Sequence, residues 1–327
     1  MCIRDRFYSG ASGLLTPLRA LGIPARVCPG VSSIQLLSAA LGRPWQDWKL
    51  VSAHGCACDP VAECMMNRSA FFLTGGTETP ASLCQKLTDA GMGEAHGVVG
   101  ENLGTEAEAI RYGSAAELAG QSFAPLSVLL VENFDLPQLR APGFPDESFI
   151  RSEVPMTKQE VRAAALAKLA VMPTDTLWDV GAGTGSVSVE LALAAPKGRV
   201  YAVECEPDAC ELIRKNRAKF QTYNLILIEG RAPDALADLP APDAVFIGGT
   251  KGGMEAVLDE VLGKNPNARI CISAIALETL GAAIAALTAR GLTAEVTQIA
   301  VSRTKPAGRL HLLMANNPIF LITGTRK

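Results

Sequence analysis

A length of 327 residues predicts two domains, and 48% hydrophobic against 19% charged residues predicts folded cores rather than a disordered chain. The formal net charge of −3 excludes a general basic surface, so no nucleic-acid partner is expected. No apolar run approaches the roughly 20 residues that span a bilayer, so no membrane association is expected either.

Nine cysteines are scattered along the chain without the spacing of a disulfide scaffold, which favours reduced thiols and a cytoplasmic location. The first six residues carry charges but are followed by no apolar stretch, so they do not have the pattern of a signal peptide. His54, Cys56, Cys58 and Cys64 lie close in the sequence. Their spacing lacks the C-x2-C pair of structural zinc sites, and we predict no metal.

The segment 7–132 alternates strand and helix patterns, which predicts an α/β domain with its own core. The predicted strands are 25–28, 50–52, 70–74, 97–99 and 126–131, and the predicted helices are 34–41, a helix beginning at Pro80, and 115–119. The next stretch, 133–150, contains three prolines and one glycine without periodicity. We therefore predict a linker there, with the second domain beginning at residue 151.

The second domain opens with a predicted helix in which Thr157 and Glu160 form a capping box and Val161, Ala165 and Leu169 form a buried stripe. Strands are then predicted at 176–180, 199–203, 224–228, 243–247 and 268–273, alternating with helices at 186–194, 207–219, 233–236, 253–262 and 277–290. Two closing strands, 294–302 and 318–323, have no helix between them. This order predicts a parallel sheet with one antiparallel pair, the layout of a class I methyltransferase fold.

The stretch TLWDVGAGTGSVSVE, residues 176–190, reads as a buried strand, a glycine turn and the start of a helix. Glycines permit close approach to the backbone, and the amides of the turn and helix start suit a carboxylate or phosphate. A dinucleotide fingerprint requires a third glycine where Ser186 stands. Glu204, at the end of the next strand, can accept hydrogen bonds from ribose hydroxyls. The pattern favours S-adenosylmethionine over NAD.

Several stretches of 152–324 resemble the decarboxylating C15-methyltransferases of corrin biosynthesis: PMTKQEVR (155–162), DVGAGTGSVSVE (179–190), VYAVE (200–204), EGRAP (229–233), PDAVFIGG (242–249), AIALETL (274–280), VSR (301–303) and ANNPIF (315–320). Segment 7–132 resembles the later part of a C5-methyltransferase with the tetrapyrrole methylase fold, through FYSG (7–10), CPGVSSIQL (28–36), LGRPW (41–45), VSAHG (51–55), GENLG (100–104) and 126–132. The order resembles the bifunctional precorrin-6Y C5,15-methyltransferase family. That family begins with a further glycine-rich subdomain and a G-D-P segment. Residues 1–6 match nothing in it, so we expect a truncated first domain with impaired C5 activity.

The resemblance implies methylation of a corrin precursor at C15, with loss of the ring-C acetate carboxylate, in cobalamin biosynthesis. It implies S-adenosylmethionine as the cofactor, with contacts from Thr157, Gly181, Ala182, Gly183, Thr184, Gly185, Glu204 and Ala232. Arg231 stands where related sequences often have an acid near the adenine. Because the nucleophile would be a ring carbon, we expect no catalytic triad and name no catalytic residue.

A tetrapyrrole substrate carries many carboxylates, which require cationic partners. The candidates are Arg303, Lys305 and Arg309 in the predicted loop SRTKPAGR, and Lys158 and Arg162 on the first helix of the second domain. We hypothesise that this loop closes over the macrocycle; the alternative is a solvated surface loop.

Other interpretations remain open at the level of sequence. Gly248 and Gly249 replace the Asn/Asp-Pro-Pro-aromatic motif of amino-methyltransferases acting on nucleic acids, but another kind of RNA methyltransferase is the enzymatic alternative. A non-catalytic binding module is the alternative for the first domain. The resemblance also implies a homo-oligomer, with a tetramer as the expected assembly, and leaves open whether the substrate holds cobalt.

Overall fold

The computed structural model of the chain describes residues 11–25, 30–133, 136–137 and 141–326. The chain divides into two compact units, unit 1 (residues 1–136) and unit 2 (residues 137–327). The expected leader 1–6, the FYSG stretch 7–10 and residues 26–28 of the first predicted strand lie outside the described residues.

Unit 1 is an α/β unit built on a five-stranded sheet of order β1-β2-β5-β3-β4, in which only β1 and β2 pair in parallel. Its elements are α1 (Ala11–Ala20), α2 (Ser33–Leu41), β1 (Lys49–Ser52), α3 (Pro60–Met66), β2 (Ser69–Leu73), α4 (Pro80–Asp89), β3 (His96–Glu101), β4 (Ala109–Ser114), α5 (Ala115–Ala119) and β5 (Ser127–Glu132). Helices α1 and α3 and the partly exposed edge strand β4 escaped prediction. Helix α3 begins where the Asp59 carboxylate accepts from the amides of Val61 and Ala62.

Unit 2 is built on a seven-stranded sheet of order β11-β14-β10-β9-β6-β7-β8, preceded by a 3-10 turn at Asp146–Ser148. Its elements are α6 (Gln159–Leu169), β6 (Thr176–Val180), α7 (Ser186–Ala194), β7 (Arg199–Glu204), α8 (Pro207–Lys219), β8 (Leu225–Glu229), β9 (Ala244–Ile247), α9 (Met254–Lys264), β10 (Arg269–Ala274), α10 (Leu277–Ala289), β11 (Thr293–Ile299), β12 (Ser302–Ala307), β13 (Leu310–Ala315) and β14 (Ile319–Thr325). Five strands are parallel, and β14 lies antiparallel to both β10 and β11. The predicted class I methyltransferase layout is confirmed.

Both faces of the central parallel strands β6 and β9 are buried, as is typical of parallel sheets covered by helices. Along β6, Leu177 enters the core beneath α6 and α7, while its neighbour Trp178 enters the core beneath α9 and α10. Both side chains are fully buried. Residues at the carboxyl end of the strand are therefore held from two sides, which fixes the start of the glycine loop that follows.

Part of the predicted linker belongs to the core of unit 2. Phe144 and Phe149 are buried, with ring centroids 5.2 Å and 4.7 Å from that of Phe220. The chain divides after residue 136, so unit 2 begins inside the stretch 133–150 that was predicted as a linker. Two aromatic residues among prolines have no helix or strand period, and the pattern could not reveal their burial.

The start of α6 also differs from the prediction. The helix is preceded by Lys158 as its N-cap residue, with no side-chain capping bond from that position. The carboxylate of Asp146 instead accepts from the amide of Gln159 at 2.9 Å, while Glu160 pairs with Arg303. The predicted capping box of Thr157 and Glu160 is wrong, because a carboxylate from the preceding 3-10 turn takes the capping role.

The predicted loop SRTKPAGR is part of a β-hairpin. Strands β12 and β13 pair antiparallel as a separate two-stranded sheet, inserted between β11 and β14. All residues of β13 are exposed, including Leu310, Leu312, Leu313 and Met314. Its apolar residues do not alternate with polar ones after His311, so the sequence pattern did not identify a strand.

Candidate functional site

A cleft of about 890 Å³ lies at the carboxyl ends of β6, β7, β8, β9 and β10. Strand β6 lies between β7 and β9, so the chain crosses the sheet in opposite directions from this point, where open α/β sheets bind ligands. The lining consists of Val154–Lys158, Val161, Val180–Gly183, Val203–Glu206, Ala209, Gly230–Ala232, Ile247–Gly252, Met254, Ser273–Ala276, Thr279, Ile299, Val301, Asn316, Asn317 and Ile319.

Most of the residues expected to bind the cofactor lie in this cleft. Its lining includes Thr157, Gly181, Ala182, Gly183, Glu204 and Ala232, together with the substrate candidate Lys158. Thr184 and Gly185 are not part of the lining. Thr184 is buried, and Gly185 is the N-cap of α7, so both shape the loop from behind.

The glycines of the loop allow close contact with neighbouring backbone. Gly181 has φ +73°, and a Cβ there would lie 2.3 Å from the carbonyl oxygen of Gly249. Gly185 has φ +75°, and its Cβ would lie 3.0 Å from Cγ1 of Ile213. The loop after β6 therefore packs directly on the loop after β9. A Cβ at Gly249 would meet nothing within 4 Å.

Four amides of the loop donate within the protein. The amides of Gly181 and Ala182 donate to the carbonyl of Val203 at 3.0 and 3.2 Å, and that of Gly185 donates to Ala182 at 2.9 Å. The Gly183 amide donates to Oε2 of Glu204 at 2.8 Å. The expectation that glycine amides receive a ligand carboxylate is therefore not met at these four positions.

The carboxylate of Glu204 is held in one orientation at the end of β7. Besides the bond from Gly183, its Oε1 accepts from the amides of Cys205 at 2.7 Å and Glu206 at 3.0 Å. Three amide donors leave at least one of the roughly four lone-pair positions of a carboxylate for a ligand hydroxyl. This geometry suits a ribose with two neighbouring hydroxyl groups.

Asp179 lies beneath the loop and is wholly buried. Its Oδ2 accepts from the hydroxyl of Ser188, whereas Oδ1 has no hydrogen-bond partner in the described part of the chain. Burial raises the pKa of Asp179 to about 7; the Ser188 bond lowers it and the nearby charge of Glu204 adds to the rise. Asp179 does not belong to the cleft lining, so this unpaired oxygen is buried beneath the loop.

Arg162 is not available to a substrate. Its side chain is wholly buried; Nε donates to Glu190 at 2.7 Å and Nη1 to Asp146 at 2.9 Å. The guanidinium carbon also lies 4.6 Å from the ring centroid of Phe149. The prediction that Arg162 binds substrate carboxylates is wrong, because the position next to the helix stripe is covered by residues 143–149.

Arg303 is engaged by two protein carboxylates. It lies 3.1 Å from Oδ2 of Asp146 and 2.7 Å from Oε2 of Glu160, and is not part of the cleft lining. Burial alone would raise the pKa of Asp146, but hydrogen bonds from Arg162 and Arg303 hold it below its ordinary value. Lys305, on β12, and Arg309, in the hairpin turn, are exposed and lie outside the lining.

Several polar residues of the cleft were not singled out from the sequence. Ser273, Thr279, Asn316 and Asn317 belong to its lining. The two asparagines lie within ANNPIF, one of the stretches that carries the family resemblance, and this was the available signal. Lys251 closes one side of the mouth through an ion pair with Glu206.

The remaining sequence features concern metal binding and membrane association. Across the residues for which the structure gives positions, no cluster of three or more potential ligands could hold a metal ion. In the candidate cluster, Cys64 is buried and Nδ1 of His54 lies 3.3 Å from the carbonyl oxygen of Thr74. None of the described helices is both long and apolar enough to cross a membrane.

The fold and the cleft together define a class I S-adenosylmethionine-dependent methyltransferase. Residues 148–326 match the precorrin methyltransferase domain, and residues 6–119 match the tetrapyrrole (corrin/porphyrin) methylases. The chain belongs to the precorrin methyltransferase family.

Comparison with individual proteins agrees with this assignment. The chain is 40% identical over 191 residues to a probable cobalt-precorrin-6B C(15)-methyltransferase (decarboxylating) of Sulfurisphaera tokodaii, covering 58% of this chain and all of the relative. It is 34% identical over 262 residues to a precorrin-6Y C(5,15)-methyltransferase [decarboxylating] of Sinorhizobium sp, covering 78% of this chain and 63% of the relative. The crystal structure of a precorrin-6Y C5,15-methyltransferase from Geobacter metallireducens is 38% identical, with TM-score 0.56, over 59% of this chain and all of that chain.

Proposed function

We propose that unit 2 methylates a corrin precursor of the precorrin-6B type at C15, with decarboxylation of the ring-C acetate, in cobalamin biosynthesis. The observation that carries this proposal is the cleft at the carboxyl end of β6, within a unit that matches the precorrin methyltransferase domain over its length. The relatives described above carry the same activity in their names.

The cofactor would be held by Thr157, Gly181, Ala182, Gly183, Thr184, Gly185, Glu204 and Ala232, of which Thr184 and Gly185 support the loop from behind. Glu204 would accept from the ribose hydroxyls. When bound, S-adenosylmethionine supplies a sulfonium methyl group for in-line displacement by a ring carbon.

The residues of the chain contribute position and exclusion of water. Apolar side chains from four strand ends, Val180, Val203, Ile247 and Ala274, line the cleft, so a bound ring displaces solvent there. Lys158 supplies a positive charge at the lining, and no ion-pair partner is recorded for it among the described residues. For Lys305 and Arg309, substrate binding remains a hypothesis about the hairpin.

We further propose that the chain forms a homo-oligomer, with a tetramer as the expected assembly. The support is the row of exposed apolar side chains on β13, Leu310, Leu312, Leu313 and Met314, because water-exposed apolar strands of this length favour association. A cytoplasmic location is proposed because the nine cysteines lack the spacing of a disulfide scaffold.

The test offers tritiated S-adenosylmethionine to the whole chain with three acceptors in parallel: a metal-free precorrin-6B, its cobalt-bearing form, and bulk tRNA. Label in a corrin product together with release of one carbon dioxide is expected. Label in tRNA alone would replace the proposal with the RNA alternative. Mass spectrometry of the product counts the methyl groups and so reports whether unit 1 also transfers one.

The matched control for this assay is Glu204→Gln. The amide group of glutamine would face backbone N–H donors that now bond to a carboxylate oxygen, and it would lose an acceptor for ribose. We expect at least a tenfold weaker affinity for S-adenosylhomocysteine and a matching loss of labelling. Unchanged affinity would remove Glu204 from the cofactor site.

A further inference from the structure

The charged residues of the cleft are unevenly distributed. Its two acidic residues are Glu204, the last residue of β7, and Glu206 just beyond it, on the side where the cofactor is proposed to bind. The other side is formed by the ends of β9 and β10, the segment before α6 and the base of the β12–β13 hairpin. That side contains no carboxylate among its described lining residues. A ligand with several negative charges would meet no repulsive partner there.

The same side offers neutral hydrogen-bond donors. Asn316 and Asn317 are exposed residues of the cleft lining, and neither side chain has a hydrogen-bond partner among the described residues. Each amide group has two N–H donors. The arginines of this region form ion pairs with Asp146, Glu160 and Glu190. These ion pairs would have to break before an arginine could bind a ligand, whereas the two asparagine side chains have no such pair to break.

The positions of these groups are fixed by the surrounding backbone. The amide of Asn316 donates to the carbonyl of Val301 at 2.9 Å, which closes the base of the hairpin. Arg303, two residues after Val301, pairs with Glu160 in the first turn of α6. This contact holds the hairpin base against the segment that ends in Lys158, so the amides and the ammonium group border one cleft.

An apolar surface lies beside them. Ile275, which is 64% exposed, and the half-buried Ile299 and Ile319 belong to the same lining. Flat conjugated rings pack on such side chains, while peripheral carboxylates reach the polar rim.

From this arrangement, and resting on the proposed function, we propose that Asn316, Asn317 and Lys158 bind the carboxylate side chains of the methyl acceptor, whose ring lies on Ile275, Ile299 and Ile319. The arginines predicted from the sequence would then set the shape of this half of the cleft without touching the acceptor. The three polar residues determine specificity for a polycarboxylated ring.

The test measures binding separately from catalysis, with the whole chain saturated with S-adenosylhomocysteine and uroporphyrin III as the polycarboxylated probe. The variants are Asn316→Asp and Asn317→Asp, which keep the side-chain shape but place a negative charge against the ligand, and Lys158→Met. Lys197→Met is the matched control, because that lysine is exposed just before the amino end of β7, outside the lining and at the opposite edge of the sheet. Fluorescence titration gives the probe affinity, and calorimetry gives the S-adenosylhomocysteine affinity as a check on folding.

We expect each cleft variant to weaken uroporphyrin binding at least tenfold, with S-adenosylhomocysteine affinity within twofold of wild type and no change for Lys197→Met. Three results would each overturn the inference. The wild type does not bind uroporphyrin, the cleft variants bind it as tightly as the wild type, or the control variant loses as much affinity for it as they do. If the wild type and the cleft variants methylate a corrin with the same KM for that corrin, the inference is overturned and the proposed function stands. If only the cleft variants lose uroporphyrin binding and the chain methylates no corrin, the inference is upheld and the proposed function is rejected.

Discussion

Replacing Arg162 by methionine should destabilise unit 2 strongly. The substitution leaves Glu190 and Asp146, both buried, without the guanidinium that now bonds to them at 2.7 and 2.9 Å. Removing one partner of a buried ion pair costs about 3–5 kcal/mol. In a unit of about 190 residues, each kcal/mol lowers Tm by about 2–4 °C, so a decrease of roughly 6–20 °C is expected.

Differential scanning calorimetry of the whole chain measures this decrease. The transition of unit 2 is the one that S-adenosylhomocysteine shifts upward, since a ligand stabilises the state that binds it. Lys305→Met, an exposed change on the hairpin, should alter the unfolding free energy by no more than about 0.5 kcal/mol. Adding Glu190→Gln to Arg162→Met should recover part of the loss, because one uncompensated buried charge disappears.

The opposite result would support the sequence-based expectation instead. If Arg162→Met unfolds within about 2 °C of wild type yet raises KM for the tetrapyrrole, the arginine binds substrate and the buried ion-pair interpretation is refuted.

Three further outcomes are expected. Burial raises the pKa of Asp179 from 3.8 to about 7, so the folded state favours the protonated carboxyl group. The stability gained from this preference is fully present below pH 3.8 and is lost as the pH rises to 7. The loss is on the order of 4 kcal/mol in the free energy of unfolding. Asp179→Asn should flatten unfolding free energy against pH in that window, and an unaltered profile would contradict the shift. Gly181→Ala should lower the free energy of unfolding by about 2 kcal/mol or more, since φ is +73° and the new Cβ would meet Gly249. Gly249→Ala should leave Tm unchanged but weaken S-adenosylhomocysteine binding. Equal melting temperatures for the two variants would count against the packing argument. Leu313→Asp should reduce the mass measured by light scattering, and an unchanged mass would exclude β13 from the oligomer contact.

The sequence predicted the elements that are buried on both faces. Strand β6 and helix α8 were predicted with the bounds that the structure shows, because continuous apolar strands and a proline at a helix start give strong local signals. The hairpin β12–β13 escaped prediction since it is exposed and its pairing is not encoded in an alternation of polar and apolar residues.

The limits at the site have a different physical origin. Glu204 and Gly181 could be identified because the loop chemistry is local in sequence. The burial of Arg162 depends on Glu190, which lies 28 residues away, and on the segment around Asp146. No helix pattern distinguishes an arginine beneath a covering segment from one at a solvent-exposed edge.

The bonds between Glu190 and the segment before α6 define where unit 2 can be separated from the rest of the chain. The Glu190 carboxylate accepts from the amides of Gly143 at 2.6 Å and Phe144 at 3.1 Å. A fragment beginning at residue 151 would lose these donors, both core phenylalanines and the Asp146 acceptor, and would leave Arg162 opposite one acid in an open groove. A fragment beginning at residue 137 retains them all, so we expect only the longer fragment to keep the native core of unit 2.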